Sequence, residues 1–95
     1  MIIAVDFDGT LQLQDKAPNL RLISSLVNAQ RKGNTVILWT CREGKTLIEA
    51  LEFLRAYGFI PNLVNQNAPQ TVKMLGQDPR KVYADIYIDD KNRGA

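Results

Sequence analysis

Three stretches of this chain are apolar at consecutive positions, and they constrain the fold more than any other feature. They are Ile2-Ile3-Ala4-Val5, the Val36-Ile37-Leu38-Trp39 centre of Thr35–Thr40, and the run from Tyr83 to Ile88, which Asp85 alone interrupts. A strand with one face in water alternates apolar and polar residues, whereas a strand apolar throughout needs cover on both faces. The segments between them carry helical spacing. Asn19 stands as an N-cap before Leu22, Ile23, Leu26, Val27 and Gln30, and Gly33-Asn34 stops that helix. Gly44 opens a second helix with Leu47, Ile48, Leu51 and Leu54 on one stripe, and Gly58 ends it. Asn62-Leu63-Val64-Asn65 is a short further strand. Asn67-Ala68-Pro69 then leads into a short helix that runs to Gly76, and Asp78-Pro79 breaks the chain before the last strand.

Strand and helix therefore alternate, and the strands are apolar on both sides. The expected fold is α/β: a Rossmann-like three-layer sandwich with a mostly parallel sheet of about four strands. If the chain winds outward through strands one, two and three and then crosses back, the strand order is 4-1-2-3. With 95 residues the chain reads as one domain, residues 1–95. The same length leaves a thin stability margin that oligomerisation would widen.

Composition narrows the chemistry. With no histidine, His-based triads, zinc–histidine sites and imidazole acid–base catalysis are absent. A single cysteine excludes an intrachain disulfide and suits a reducing compartment. A net charge of +2 with dispersed basic residues gives no nucleic-acid footprint. No apolar run approaches the roughly 20 residues that span a bilayer. Met1-Ile2-Ile3-Ala4-Val5 has neither the basic region nor the cleavage site of a secretory leader, so the expectation is a cytoplasmic protein without a membrane partner.

Three polar clusters follow three of the strands: Asp6-Phe7-Asp8-Gly9-Thr10 after the first, Thr40-Cys41-Arg42 after the second, and Asp89-Asp90 after the last. Ligands bind at the carboxyl edge of open α/β sheets, and the order 4-1-2-3 makes strands one and four neighbours. Four carboxylates would then crowd one crevice, which is unfavourable unless a cation offsets their charge. Oxygen-only donors without histidine or a thiolate cluster point to a hard cation, and magnesium fits an open carboxylate site. Gly9 would let backbone approach a substrate, and Thr10 would offer a hydroxyl and an amide to a phosphate.

Asp6-Phe7-Asp8-Gly9-Thr10-Leu11, Leu38-Trp39-Thr40 and Ile88-Asp89-Asp90 resemble, in order, the first, second and fourth motifs of the haloacid dehalogenase-like hydrolase superfamily. Within it the chain looks most like the small phosphatases that lack a cap domain. The resemblance implies a magnesium-dependent phosphomonoester hydrolase working through an aspartyl-phosphate. Asp6 would be the nucleophile, and Asp8 would protonate the leaving oxygen and then activate water. Thr40 would hydrogen-bond the phosphate. Asp6, Asp89 and the Asp8 carbonyl would hold magnesium, with Asp90 in support. Lys81 is the choice for the lysine that screens nucleophile and phosphate, and Lys73 is its rival.

To act as an acid near neutrality Asp8 needs a raised pKa, which neighbouring carboxylates would supply and metal would oppose. Arg42 and Cys41 lie beside the site as substrate-binding candidates. Taken alone, Arg42 reads equally as a solvated arginine, and Cys41 as a small buried residue rather than a nucleophile. Trp39, Tyr83 and Tyr87 read as core or interface aromatics rather than a stacking platform.

About ten residues separate Thr10 from the first helix, and residues 58–81 hold only a strand and a helix, so no cap is expected. An open site would take a phosphate carried on a sugar, a nucleotide or a macromolecule, phosphorylated nucleic-acid ends included, or would borrow a lid from a second copy in a homo-oligomer. The competing function is a non-catalytic phosphate-binding or phospho-accepting module on the same fold. Receiver domains carry their acidic pair after the first strand and their phosphorylated aspartate after the third. Here the third strand ends in asparagines, and that argues against a receiver.

Overall fold

The computed structural model describes residues 1–76 and 82–90. Its elements run β1 (Ile2–Asp6), α1 (Leu20–Arg31), β2 (Thr35–Trp39), α2 (Gly44–Ala56), β3 (Leu63–Val64), α3 (Pro69–Leu75) and β4 (Ile86–Ile88). The four strands form one sheet in the order β3-β2-β1-β4, with every neighbouring pair parallel. This is the expected order 4-1-2-3 read from the other edge, and the fold is α/β with β1 at the centre beside β4.

Strand alternation divides the apolar residues between two faces. Ile3, Val5 and Phe7 pack with Val36 and Leu38 against Ile23 and Leu26 of α1 and Ala50 and Leu54 of α2. Ala4 and Ile37 point the other way, to Val82, with Ile2, Leu63 and Ala84 around them. Helices α1 and α2 thus share one face. The second face carries the smaller cluster, and α3 brings Thr71, Met74 and Leu75 alongside Ile2, Tyr83 and Ala84 there. This placement follows from right-handed crossovers: winding outward puts α1 and α2 on one side, and crossing back puts α3 on the other.

Local chemistry sets the helix ends. The Asn19 side chain accepts from Leu22 N at 3.2 Å, as its capping role requires, and its amide donates to Thr10 O at 3.1 Å. One side chain thereby ties the start of α1 to the loop after β1. The stripe on α2 is Leu47, Ala50, Leu51 and Leu54, while Ile48 is 56% exposed. Ile48 was expected on that stripe. It stands about 100° round the helix from Leu47, on the solvent side of the arc that Ala50 and Leu54 occupy.

The outer strand β3 is two residues long, and asparagine side chains extend its pairing. Asn62 Oδ1 accepts from Val36 N at 2.8 Å and from Gln30 Nε2 at 2.9 Å, and Asn62 N donates to Val36 O. At the other end Asn65 N donates to Leu38 O, and Asn65 Oδ1 accepts from Thr40 N at 2.8 Å. The last strand is also shorter than the expected Tyr83–Ile88 run. Tyr83 N donates instead to Asn67 Oδ1, and Ala84 N to the Tyr87 hydroxyl, so pairing with β1 begins only around Asp85.

Asn62→Ala leaves Val36 N, inside the sheet, without its acceptor. We expect a loss of about 1–2 kcal/mol, read as a lower urea midpoint at unchanged m-value.

Candidate active site

The loop after β1 is built around Phe7. Its ring is fully buried and meets Phe53 of α2 edge-on at 5.6 Å between centroids. Its carbonyl accepts from the amides of Thr10, Leu11 and Gln12 at 3.0–3.2 Å, curling the chain back on itself. Gly9 N closes the curl on Gln12 O at 2.8 Å. With Phe7 pinned between them, Asp6 and Asp8 project from the loop in separate directions.

Asp6 lies at the carboxyl edge of the sheet, in a cleft of about 210 Å³ that it shares with Ala4, Trp39, Thr40, Cys41, Tyr87 and Asp89. Its Oδ1 accepts from Phe7 N at 2.8 Å. Burial raises its pKa above the ordinary carboxylate value. The Phe7 hydrogen bond works against that rise, and the charges of Asp8, Asp90 and Asp89 add to it. The register Val5↔Ile88 sets Asp89 beside Asp6. Gly9, at φ +78°, lets Asp90 close on the loop: a Cβ at Gly9 would stand 3.5 Å from the Asp90 Cβ. That positive φ is the region an L side chain avoids, so glycine is needed here for its backbone freedom.

Asp8 behaves differently. Its carboxylate is gripped by Arg42, with Nη2 at 2.8 Å from Oδ1 and Nε at 3.0 Å from Oδ2. The pair lowers the Asp8 pKa, chiefly through those hydrogen bonds. The sequence left open the balance between neighbouring carboxylates and metal at Asp8; in the structure a third group, Arg42, sets its direction, and the carboxylate charges add to the rise of Asp6. Arg42 Nη1 donates to Thr46 O at 3.1 Å, and the guanidinium lies over the Phe7 ring, 4.8 Å from its centroid. The solvated-arginine reading of Arg42 falls with this.

Thr40 sits at the end of β2, almost buried, with its amide held by Asn65 and its Oγ1 accepting from Arg42 N at 3.1 Å. An accepting hydroxyl keeps its own proton free to donate, which suits the expected contact with phosphate. Thr10 is different: it is fully buried and its amide is committed to Phe7 O. In this arrangement it shapes the turn and does not face the cleft, contrary to the phosphate-binding part expected of it. Cys41 is exposed on the cleft wall, not a small buried residue. Trp39 and Tyr87 are 42% and 38% exposed and flank the same cleft, so they are not core aromatics; Tyr83, at 49%, is outside the core as well. Lys73 is exposed in the last turn of α3 and does not line the cleft. Lys81 lies outside the described residues.

Among the described residues no three acidic or thiol side chains come close enough to form a metal cage. The donor chemistry nonetheless fits a hard cation. Asp6 and Asp89 follow one another across adjacent strands, Asp90 packs on the loop, and the charges of Asp90 and Asp89 reach Asp6, an all-oxygen set of the kind such an ion takes. The Asp8 carboxylate is held by Arg42 while its charge still acts on Asp6, so its backbone carbonyl is the donor it would offer a cation.

Asn65 escaped the sequence reading. It holds the Thr40 backbone in place at φ +51°, a conformation asparagine tolerates better than most residues. An asparagine immediately after a short apolar strand was the available signal.

No family model matches the chain, and no curated protein matches it. Among solved structures it is similar to that of a conserved protein coded by a locus of Bacteroides thetaiotaomicron, at 37% identity and a TM-score of 0.78. The match covers 99% of this chain and 78% of that one. Among the described residues no helix is long and apolar enough to cross a membrane.

The raised Asp6 pKa makes a signed prediction. A folded-state value above the unfolded one means that folding favours the protonated form. The penalty is absent below the unfolded value, grows as pH rises through the folded value, and persists at neutrality. Asp6→Asn should therefore raise the metal-free melting temperature at pH 7 by a few degrees and leave it unchanged at pH 3. Magnesium should narrow the gap at pH 7. Differential scanning calorimetry with EDTA or magnesium reads all three.

Proposed function

We propose that this chain, which belongs to the same family as the conserved Bacteroides thetaiotaomicron protein, is a magnesium-dependent phosphomonoester hydrolase of the haloacid dehalogenase-like kind. The observation that carries the reading is the gathering of Asp6, Asp89 and Asp90 at the ends of adjacent strands, beside Thr40 and a partly buried nucleophile candidate. Structural acidic turns have no reason to converge in this way, because the repulsion costs stability.

With Oδ1 held by Phe7 N, Asp6 presents Oδ2 to the phosphorus of a bound monoester. Attack forms an oxygen–phosphorus bond as the bond to the leaving oxygen breaks. Asp8 gives that oxygen a proton. The incoming phosphate dianion brings negative charge beside Asp8, which counters the effect of Arg42 and favours the protonated acid. Asp8 then takes a proton from water, the resulting hydroxide attacks the phosphorus, and Asp6 is released with inorganic phosphate. The Thr40 hydroxyl donates to the phosphate oxygens throughout. Asp6, Asp89 and the Asp8 carbonyl, with Asp90 behind, would hold magnesium, whose positive charge would offset that of the transferring group.

Among the described residues nothing beyond the sheet and its flanking helices roofs the cleft. An open site of this kind admits a phosphate on a sugar, a nucleotide or a macromolecule, and a second copy of the chain is the natural lid. The exposed thiol of Cys41 suits a reducing, cytoplasmic setting.

A phosphate-release screen with magnesium across sugar phosphates, nucleotides and phosphorylated oligonucleotides tests the reading. Asp6→Asn should abolish release, Asp8→Asn should lower it by roughly 10²–10⁴-fold, and EDTA should stop it. Unchanged turnover in Asp6→Asn would remove the nucleophile assignment. Absence of turnover on every substrate, with beryllofluoride and magnesium still bound, would favour a phosphate-binding module.

A further inference from the structure

Arg42 entered this account as a substrate-binding candidate, but its surroundings give it another task. All three guanidinium nitrogens are engaged: Nε and Nη2 on the Asp8 carboxylate, Nη1 on Thr46 O. The plane rests on the buried Phe7 ring, and its backbone amide is fixed by Thr40 Oγ1. The side chain is thus clamped from below, from α2 and from its own main chain, with one face of its fork turned to Asp8. An arginine kept ready for a substrate phosphate would hold its fork towards the ligand. This one spends it on the carboxylate.

We infer that Arg42 is the positioning residue for Asp8: its two hydrogen bonds fix the direction and plane of the carboxylate and so reserve it for proton transfer rather than metal ligation. The physical need is plain. A flexible aspartate two residues from Asp6 would be drawn into the shell of any cation bound there and could not serve as acid and base. Two hydrogen bonds from a planar fork fix both the direction and the plane of a carboxylate, which a lysine ammonium cannot do. Phe7 orients both partners, since it separates the two aspartates along the chain and supports the guanidinium from beneath.

This inference rests on the hydrolase reading, and the experiment separates the two. Phosphate release from p-nitrophenyl phosphate and from a sugar monophosphate, with saturating magnesium, is measured for wild type, Arg42→Ala, Arg42→Lys, Asp8→Asn and Arg42→Ala/Asp8→Asn. A positioning role predicts that Arg42→Ala lowers kcat by roughly ten- to a hundredfold, a part of the full proton-transfer contribution, and shifts KM less than threefold. The same substitution should have almost no effect in the Asp8→Asn background, because the group it positions is gone. Arg42→Lys, which keeps the charge but loses the fork, should recover only part of the loss. Melting temperatures identify any variant that fails to fold, and Arg42→Lys then carries the comparison in its place.

A rise in KM that persists in the Asp8→Asn background would overturn the inference and return Arg42 to substrate binding. Equal losses in both backgrounds at unchanged KM would overturn it in favour of a purely structural role. No phosphate release by the wild type would instead strike the hydrolase reading itself, and the inference with it.

Discussion

The buried ring of Phe7 holds the whole site in register. It continues the alternation of Ile3 and Val5 into the helix-side core, one residue beyond the end of β1, and there it meets Phe53. Fully burying a phenylalanine stabilises a fold by about 1.5–3 kcal/mol, which is enough to fix a short loop against the sheet. Its carbonyl then turns the following three amides inward. Asp6 and Asp8 are left on either side of an immobile residue and cannot exchange places. Two identical side chains thereby acquire different surroundings: one faces the β4 carboxylates, the other faces Arg42.

That separation divides the electrostatics. Four aspartates and one arginine meet at this edge, and no single arrangement satisfies all of them. The Arg42 hydrogen bonds lower Asp8, whereas burial raises Asp6, with the charges of Asp8, Asp90 and Asp89 adding to the rise. The exposed Asp8–Arg42 pair contributes little to stability as a surface ion pair. Its worth is geometric. A fold selected for stability alone would distribute these charges, and their meeting at the β1–β4 edge is what the proposed cation site would use.

Much of this was legible in the chain because it rests on short-range rules. Consecutive apolar residues in β1 and β2 dictate two covered faces, Asn19 caps the helix that follows it, and Gly76 ends α3 in the left-handed conformation. The strand order follows from winding direction, and with it the neighbourhood of Asp6 and Asp89. What the chain could not disclose depends on partners far apart in sequence. Arg42 and Asp8 are 34 positions apart, and whether an arginine beside a site grips substrate, solvent or a carboxylate is decided only by where its fork ends up. Thr10 belongs to the same class: its motif position suggests a ligand contact, yet the Phe7 carbonyl claims its amide and the turn buries its hydroxyl. Trp39 and Tyr87 read as core or interface because their strands are apolar on both faces, and the core half of that reading fails because the second face carries only the seven-residue α3 among described helices, which does not line the cleft at the carboxyl edge.

The thin second face bears on how the site works. Ala4 lies between Ile37 and Tyr87 across three neighbouring strands, and with Trp39 and Tyr87 it lines the cleft that ends at Asp6. Tyr87 is not free to close that cleft, because its hydroxyl donates to Val82 O and accepts from Ala84 N. The Tyr87 wall beside Asp6 is therefore held in place, as is the Phe7 loop on the other side. Among the described residues nothing roofs the site, so under the proposed function it would pay no closure cost when a phosphate arrives but could not exclude water by moving. Catalysis there would have to come from preorganised groups already in position, which is why a clamp on Asp8 would matter more than it would beneath a mobile lid.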